Sequence, residues 1–158
     1  MSKPACQICS CLPDKADRRF VDSETFAYSE HPPKGVSDGL YCTTCYENLV
    51  EPALLEYEET LEKAKNVNMF YASQSKESRF IRRIERPITV QNCSDRDEAI
   101  LKLAFITVQS GKNAMVDVDL KSAKVRIDGY QTSTWSGRAI PVQIEESVLQ
   151  RRFAGAPN

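Results

Sequence analysis

Only one histidine, His31, occurs in the 158-residue sequence. A histidine-based triad and a multi-histidine catalytic metal site are therefore excluded within one chain. Glycine is scarce too, with six residues in all, and neither a glycine-rich phosphate loop nor a nucleophile elbow is present. No apolar run approaches the roughly 20 residues that a membrane helix needs. The opening MSKPACQICSC lacks the apolar core of a secretory signal. Neither sign of charge is in excess: the net formal charge is −1, which exerts no overall pull toward nucleic acid or anionic membrane. These absences lead us to expect a cytoplasmic protein with no membrane partner, in a compartment where thiols stay reduced.

Six cysteines are present, and hydrophobic residues make up 41% and charged residues 27% of the chain, a balance for globular folding. The length suits one ordinary domain or two small ones. Charge is uneven along it: net −5 over residues 1–66, +3 over 67–92 and +1 over 93–158. An acidic first part, a basic connection near Ser73 to Arg86 and a near-neutral second part suggest two units, 1–66 and 67–158.

Four of the cysteines, Cys6, Cys9, Cys42 and Cys45, form two C-x2-C pairs separated by 32 residues. Two intervening residues let one turn present two thiolates to one ion, and four thiolates suit tetrahedral zinc. The second pair opens a helical stretch, where the helix dipole and free N–H groups favour thiolate. The ligand set alone also accepts iron, and free cysteines or a redox pair are the alternatives to a metal site. Cys11, two residues beyond Cys9, is a possible replacement for Cys6 or Cys9. His31 in EHPP reads as a loop residue. Cys93 beside a helix start reads as a small buried residue, or as a reactive thiol.

Around this metal site, Pro4 to Cys45 is loop-rich and poor in apolar residues, so a metal would supply what a core does not. A helical turn is expected over Thr43 to Leu49 and a helix over Pro52 to Lys65. Its stripe of Val50, Leu54, Tyr57, Leu61 and Ala64 is expected to pack on the second unit. The second unit reads as strand, strand, helix, strand, strand. The strands are Val67 to Ser73 and Arg86 to Asn92. The helix is N-capped by Ser94 with Asp97 as its capping-box partner, and stops at Gly111. Ala114, Val116, Val118 and Leu120 are expected to face one way, and Met115, Asp117 and Asp119 the other. Lys121 to Ala123 would then turn the chain into another strand, with Val125 and Ile127 inward.

Two further groups have chemical potential. Asp117, Asp119 and Asp128 could gather as a carboxylate cluster or simply form a solvent face. Arg79, Arg82, Arg83 and Arg86, interleaved with Phe80 and Ile81, could hold phosphates and stack bases, or serve as a hinge.

The sequence of first cysteine pair, extended insert, second pair and helix, over residues 4–66, resembles the treble-clef and LIM-like zinc modules. The run LKLAFITVQSGKNAMVDVDL, with GYQTSTWSGRAIPV after it, resembles the small bacterial YbjQ-like family, described as heavy-metal-binding. The matching residues are Gly111, Asn113, Ala114, Val116, Val118, Gly137 and Ala139, within residues 87–143. That resemblance implies a compact, often ring-forming α+β domain and carries no metal ligand over to this chain.

The expected protein is thus α+β: a small four-cysteine zinc module with its following helix, joined to a β-β-α-β-β domain. The expected function is non-enzymatic zinc binding that supports interaction with a protein partner, with homo-oligomerisation open. The alternatives are a nucleic-acid-binding zinc protein, through the four arginines, and a metal- or redox-responsive protein, through Cys11 and Cys93.

Overall fold

The structure, a computed structural model, describes residues 4–31, 33–74, 76, 79, 81–145 and 147–148. Phe80 of the basic connection and the tail 151–158, expected to fray, lie outside the described residues. The fold is mixed α+β, with two separate sheets. It divides into two compact units, Met1–Leu61 and Glu62–Asn158. No helix among the described residues is long and apolar enough to cross a membrane.

In the first unit, strand β1 (Arg18–Val21) pairs antiparallel with β2 (Gly39–Cys42), from Arg18 opposite Cys42 to Val21 opposite Gly39. A short turn, α1 (Thr43–Cys45), follows at once, then a π-helical turn (Tyr46–Val50) and helix α2 (Glu51–Lys65). Pro52 is accommodated because it lies in the first turn of α2, where its missing N–H costs least.

This unit has a small core, to which the loop-rich segment and the helix after it both contribute. Val21, Phe26, Val36, Tyr41 and Val50 are buried together, and Leu49, Ala53, Leu54 and Tyr57 pack against them. The first half of the helical stripe thus serves its own unit. The reason is aromatic: Phe26 meets Tyr57 edge to face at 5.3 Å, and the Tyr57 hydroxyl accepts from Tyr28 N–H at 3.2 Å. Tyr41 is fully buried, and its hydroxyl donates to Ser37 O (2.6 Å) and accepts from Ser37 N–H (2.9 Å). Both hydrogen bonds offset the cost of burying that polar atom.

In the second unit the order of elements is β3 (Asn68–Tyr71), β4 (Ile88–Cys93), α3 (Arg96–Gln109), β5 (Ala114–Ile127) and β6 (Tyr130–Val142). This is the expected β-β-α-β-β sequence. The sheet runs β3-β5-β6-β4, with β3 parallel to β5 and the other pairs antiparallel.

Three local expectations are corrected. The N-cap of α3 is Asp95, whose side chain accepts from Glu98 N–H at 2.7 Å, while Glu98 reaches back to Ser94. The capping box therefore sits one residue later than Ser94 and Asp97, and the longer glutamate makes the return contact. Second, no turn forms at Lys121 to Ala123. β5 continues to Ile127, and the chain reverses at Asp128 (φ 51) and Gly129 (φ 83). Two left-handed residues make the tight hairpin that Asp-Gly favours, whereas Lys-Ser-Ala offers no residue suited to positive φ.

Third, the alternation along β5 breaks at Asp117 (φ 53), where the register with β6 shifts. Before this bulge, Ala114 and Val116 join Phe70, Ile81, Val142 and Ile144 in one cluster. On the other face Met115 is buried and meets Thr107 of α3. Leu120, beyond the bulge, lies with Leu103 of α3 around Gly137. One inserted residue thus switches Val118 and Leu120 to the face that Met115 occupies.

Candidate metal centre

Cys6, Cys9, Cys42 and Cys45 lie in the first unit and come together: all four Sγ atoms are within 4.8 Å of one another. Cys42 and Cys45 are placed by the junction of β2 and α1. Cys42 caps α1, its sulfur accepting from Cys45 N–H at 3.5 Å. Cys6 and Cys9 are placed by a tight turn closed by Cys6 N–H to Cys11 O (2.8 Å) and Ser10 N–H to Cys6 O (3.1 Å). Ser10 takes a left-handed conformation (φ 61) to complete the turn. Ile8 N–H donates to Cys6 Sγ at 3.5 Å.

The turn meets the hairpin beside Gly39, a residue the cysteine spacing does not point to. Gln7 N–H donates to Leu40 O at 2.9 Å, and a Cβ on Gly39 (φ 145) would stand 2.3 Å from Gln7 Nε2. Its positive φ favours glycine, and the Gln7 side chain lies over the space a Cβ would take. The available signal was a glycine three residues ahead of the second pair, in DGLYC.

The spacing is that of one ion. A regular tetrahedron with metal–sulfur distances of about 2.3 Å has edges of about 3.8 Å, and Cys9 Sγ lies 3.8 Å from Cys42 Sγ. Several iron ions with bridging sulfides would hold the thiolates much farther apart. Four cysteines therefore cluster closely enough to hold a metal ion.

The electrostatics fit the same conclusion. Burial raises the Cys6 pKa, but hydrogen bonds from the N–H groups of Cys42, Cys9 and Ile8 outweigh it and bring the thiol down to about 6. The Cys11 backbone N–H, then the Cys11 side chain, lower Cys9. Cys45 is pushed up to about 12, first by the Cys42 side chain. The hydrogen bond between the two thiols favours the protonated form of Cys45, and burial adds to the rise. A divalent cation held among the four sulfurs would displace such protons.

No protein-family model matches the chain, and no curated protein or solved structure is significantly similar to it. What the site does is therefore argued from its own geometry.

Cys11 is exposed and outside the group of four. Its thiol nonetheless interacts with those of Cys9 and, less strongly, Cys42, and is pushed up to about 12 by them. His31 is exposed and also outside the group. Cys93 is buried, 1% exposed, and burial raises its pKa, which disfavours the thiolate there. Asp117, Asp119 and Asp128 form no ligand cluster among the described residues. Asp117 is held by Arg83, and Asp128 sits in the hairpin turn. Of the basic stretch, Arg79, Arg82 and Arg86 are exposed, while Arg83 is engaged with Asp117 and Ile81 O.

Proposed function

We propose that Cys6, Cys9, Cys42 and Cys45 hold one zinc ion, and that the protein is a non-enzymatic zinc-binding protein whose first unit presents a surface to a protein partner. The observation that carries this reading is the group of four sulfurs within 4.8 Å of one another. Four thiolates fill a tetrahedral zinc shell and leave no open position for water or substrate, so the ion's role is structural. The order of turn, hairpin and helix, with one cysteine pair in the turn and one at the helix start, supports the treble-clef reading. Zinc would fix the position of the hairpin and of the helix start, and with them the surface between Cys11 and Thr43.

Elemental analysis of the purified chain tests this directly. The expected result is one zinc per chain, absent from Cys42→Ser together with the ordered structure of residues 4–45. One iron per chain, or no metal, would overturn it. The exposure of Arg79, Arg82 and Arg86 favours a second reading, nucleic-acid contact, which predicts DNA or RNA binding that weakens steeply as salt rises.

A further inference from the structure

The β5–β6 ribbon outruns the sheet that carries it. Strand β4 ends at Cys93 opposite Trp135, and beyond that point Ala123 to Ile127 pair with Tyr130 to Thr134, with no third strand beside them among the described residues. At about 3.3 Å per residue this is an arm roughly 17 Å long. Two strands alone add little to the stability of the sheet behind them, so the arm's composition is the better guide to its use.

Residues directly opposite in an antiparallel pair share a face, and the register gives the arm two unlike faces. Leu120, opposite Gly137, lies with it beside Leu103 of α3. Along the strands that same face continues through Lys124–Ser133 and Arg126–Gln131. All four residues are exposed, and neither Lys124 nor Arg126 has a carboxylate partner among the described residues. The other face carries Val125–Thr132 and Ile127–Tyr130. From Lys121 to Thr134 there are three cations and a single carboxylate, Asp128, which sits in the turn. The arm is thus locally positive in a chain of net charge −1.

We propose that the arm binds duplex DNA, with the Lys124–Arg126 face in the major groove. A B-form major groove, about 12 Å wide, admits a two-stranded ribbon. Phosphates line its edges, and two unpaired cations complement them. Its floor is read by the side-chain types this face presents: arginine makes two bonds to guanine, glutamine makes two to adenine, and serine serves either base. Arg126 and Gln131 stand directly across from each other, two base-reading groups near the end of the arm. Duplex RNA is the poorer ligand, because its major groove is too deep and narrow for side chains to read. A second copy of the chain fits less well. Only Ile127 and Tyr130 expose large apolar side chains on the arm, and two side chains fall well short of the roughly 800 Å² per partner of a stable interface. The arm lies in the second unit, so its role needs neither the metal centre nor the exposed Arg79, Arg82 and Arg86.

Fluorescence anisotropy tests this with the full chain and a labelled random-sequence DNA duplex of about two helical turns. Between about 50 and 200 mM salt, log K should fall against log salt with a slope of about −2 to −3, for two or three phosphate contacts. Lys124→Gln combined with Arg126→Gln should weaken binding about tenfold or more and flatten the slope by about 2, with an unchanged urea midpoint showing that the fold is kept. An RNA duplex of the same sequence should bind about tenfold or more weakly than the DNA. Unchanged binding in the double variant would overturn the role of the arm. Loss in Arg79→Gln, Arg82→Gln, Arg86→Gln would then place the contact on the basic connection. Equal affinity for the two duplexes, or none for DNA at the lowest salt, would overturn it too. Self-association abolished by Tyr130→Ser, in a chain that leaves DNA unbound, would assign the arm to a second copy instead. Metal content, measured separately on the same samples, reports on the zinc reading alone.

Discussion

Asp117 shows how much one residue can do in the second unit. It supplies the left-handed conformation of the bulge (φ 53), and its carboxylate receives two bonds from the Arg83 guanidinium, at 2.7 and 3.1 Å. The Arg83 hydrogen bond holds the carboxyl below its usual range, against an opposing effect of burial, with Arg138 adding to the lowering. A carboxylate whose folded pKa is depressed contributes stability that is fully present above the unfolded value, about 3.9, and is lost as pH falls through the folded one. Asp117→Asn keeps the size of the side chain and its tolerance of positive φ, and removes the charge and one of the two acceptor oxygens that Arg83 uses. The expected result at pH 7 is a loss of about 1–2 kcal/mol, appropriate to a bidentate pair under a third exposed. The gap between the two proteins should close in acid below pH 4. Urea midpoints at pH 7 and pH 2.5 check this, and an equal gap at both values would refute it. Nothing in VDVDL foretold this role, because the alternation there is flawless on paper and the bulge residue is not glycine.

Among the elements, the β5–β6 ribbon departs most from what its sequence suggests. Past Cys93 opposite Trp135, the ribbon has no third strand beside it among the described residues, and Ala123 to Ile127 pair with Tyr130 to Thr134. Of the two residues expected to point inward, Val125 is half-buried and Ile127 is 59% exposed, with Tyr130 at 79%. A two-stranded ribbon adds little to stability unless a third element covers it. Deleting the opposed pairs Lys124–Val125 and Thr132–Ser133 preserves both the side-chain alternation and the Asp-Gly turn. The urea midpoint should then change by no more than about 0.5 kcal/mol; a loss of about 2 kcal/mol or more would show that the ribbon is packed. Helix α3 was far more legible, because its broad apolar face and its stop at Gly111 are encoded within a few residues of each other. There, Gly111 N–H bonds Val108 O at 2.9 Å and Lys112 N–H bonds Thr107 O at 3.1 Å, the paired closure of a Schellman end. The cysteine pairs were legible for the same reason of short range. The close approach of Gln7 to Gly39 was not, since it depends on residues 32 apart in the chain.

For the whole molecule, the decisive quantity is how much each unit's own core supplies. The second unit has clusters on both faces of a four-stranded sheet, and its buried Leu103, Phe105, Met115, Val116 and Val118 need no metal. Among the described residues, the first unit has one cluster of five buried residues, a hairpin of four residues per strand and long connections. A core of that size supplies no more than about 3–5 kcal/mol, whereas a structural zinc contributes on the order of 10 kcal/mol. If zinc is bound as proposed, it would be the larger contribution in the first unit, and removing it should destabilise that unit far more than the second. With a strong zinc chelator at neutral pH and a reductant present, amide hydrogens of residues 4–45 should lose protection, while those of 88–120 and 135–142 keep theirs. Exchange mass spectrometry distinguishes the outcomes. If protection is retained in both units, the five-residue core suffices without an ion. If it is lost in both, folding of the second unit depends on the first, and the size of each core does not decide its stability.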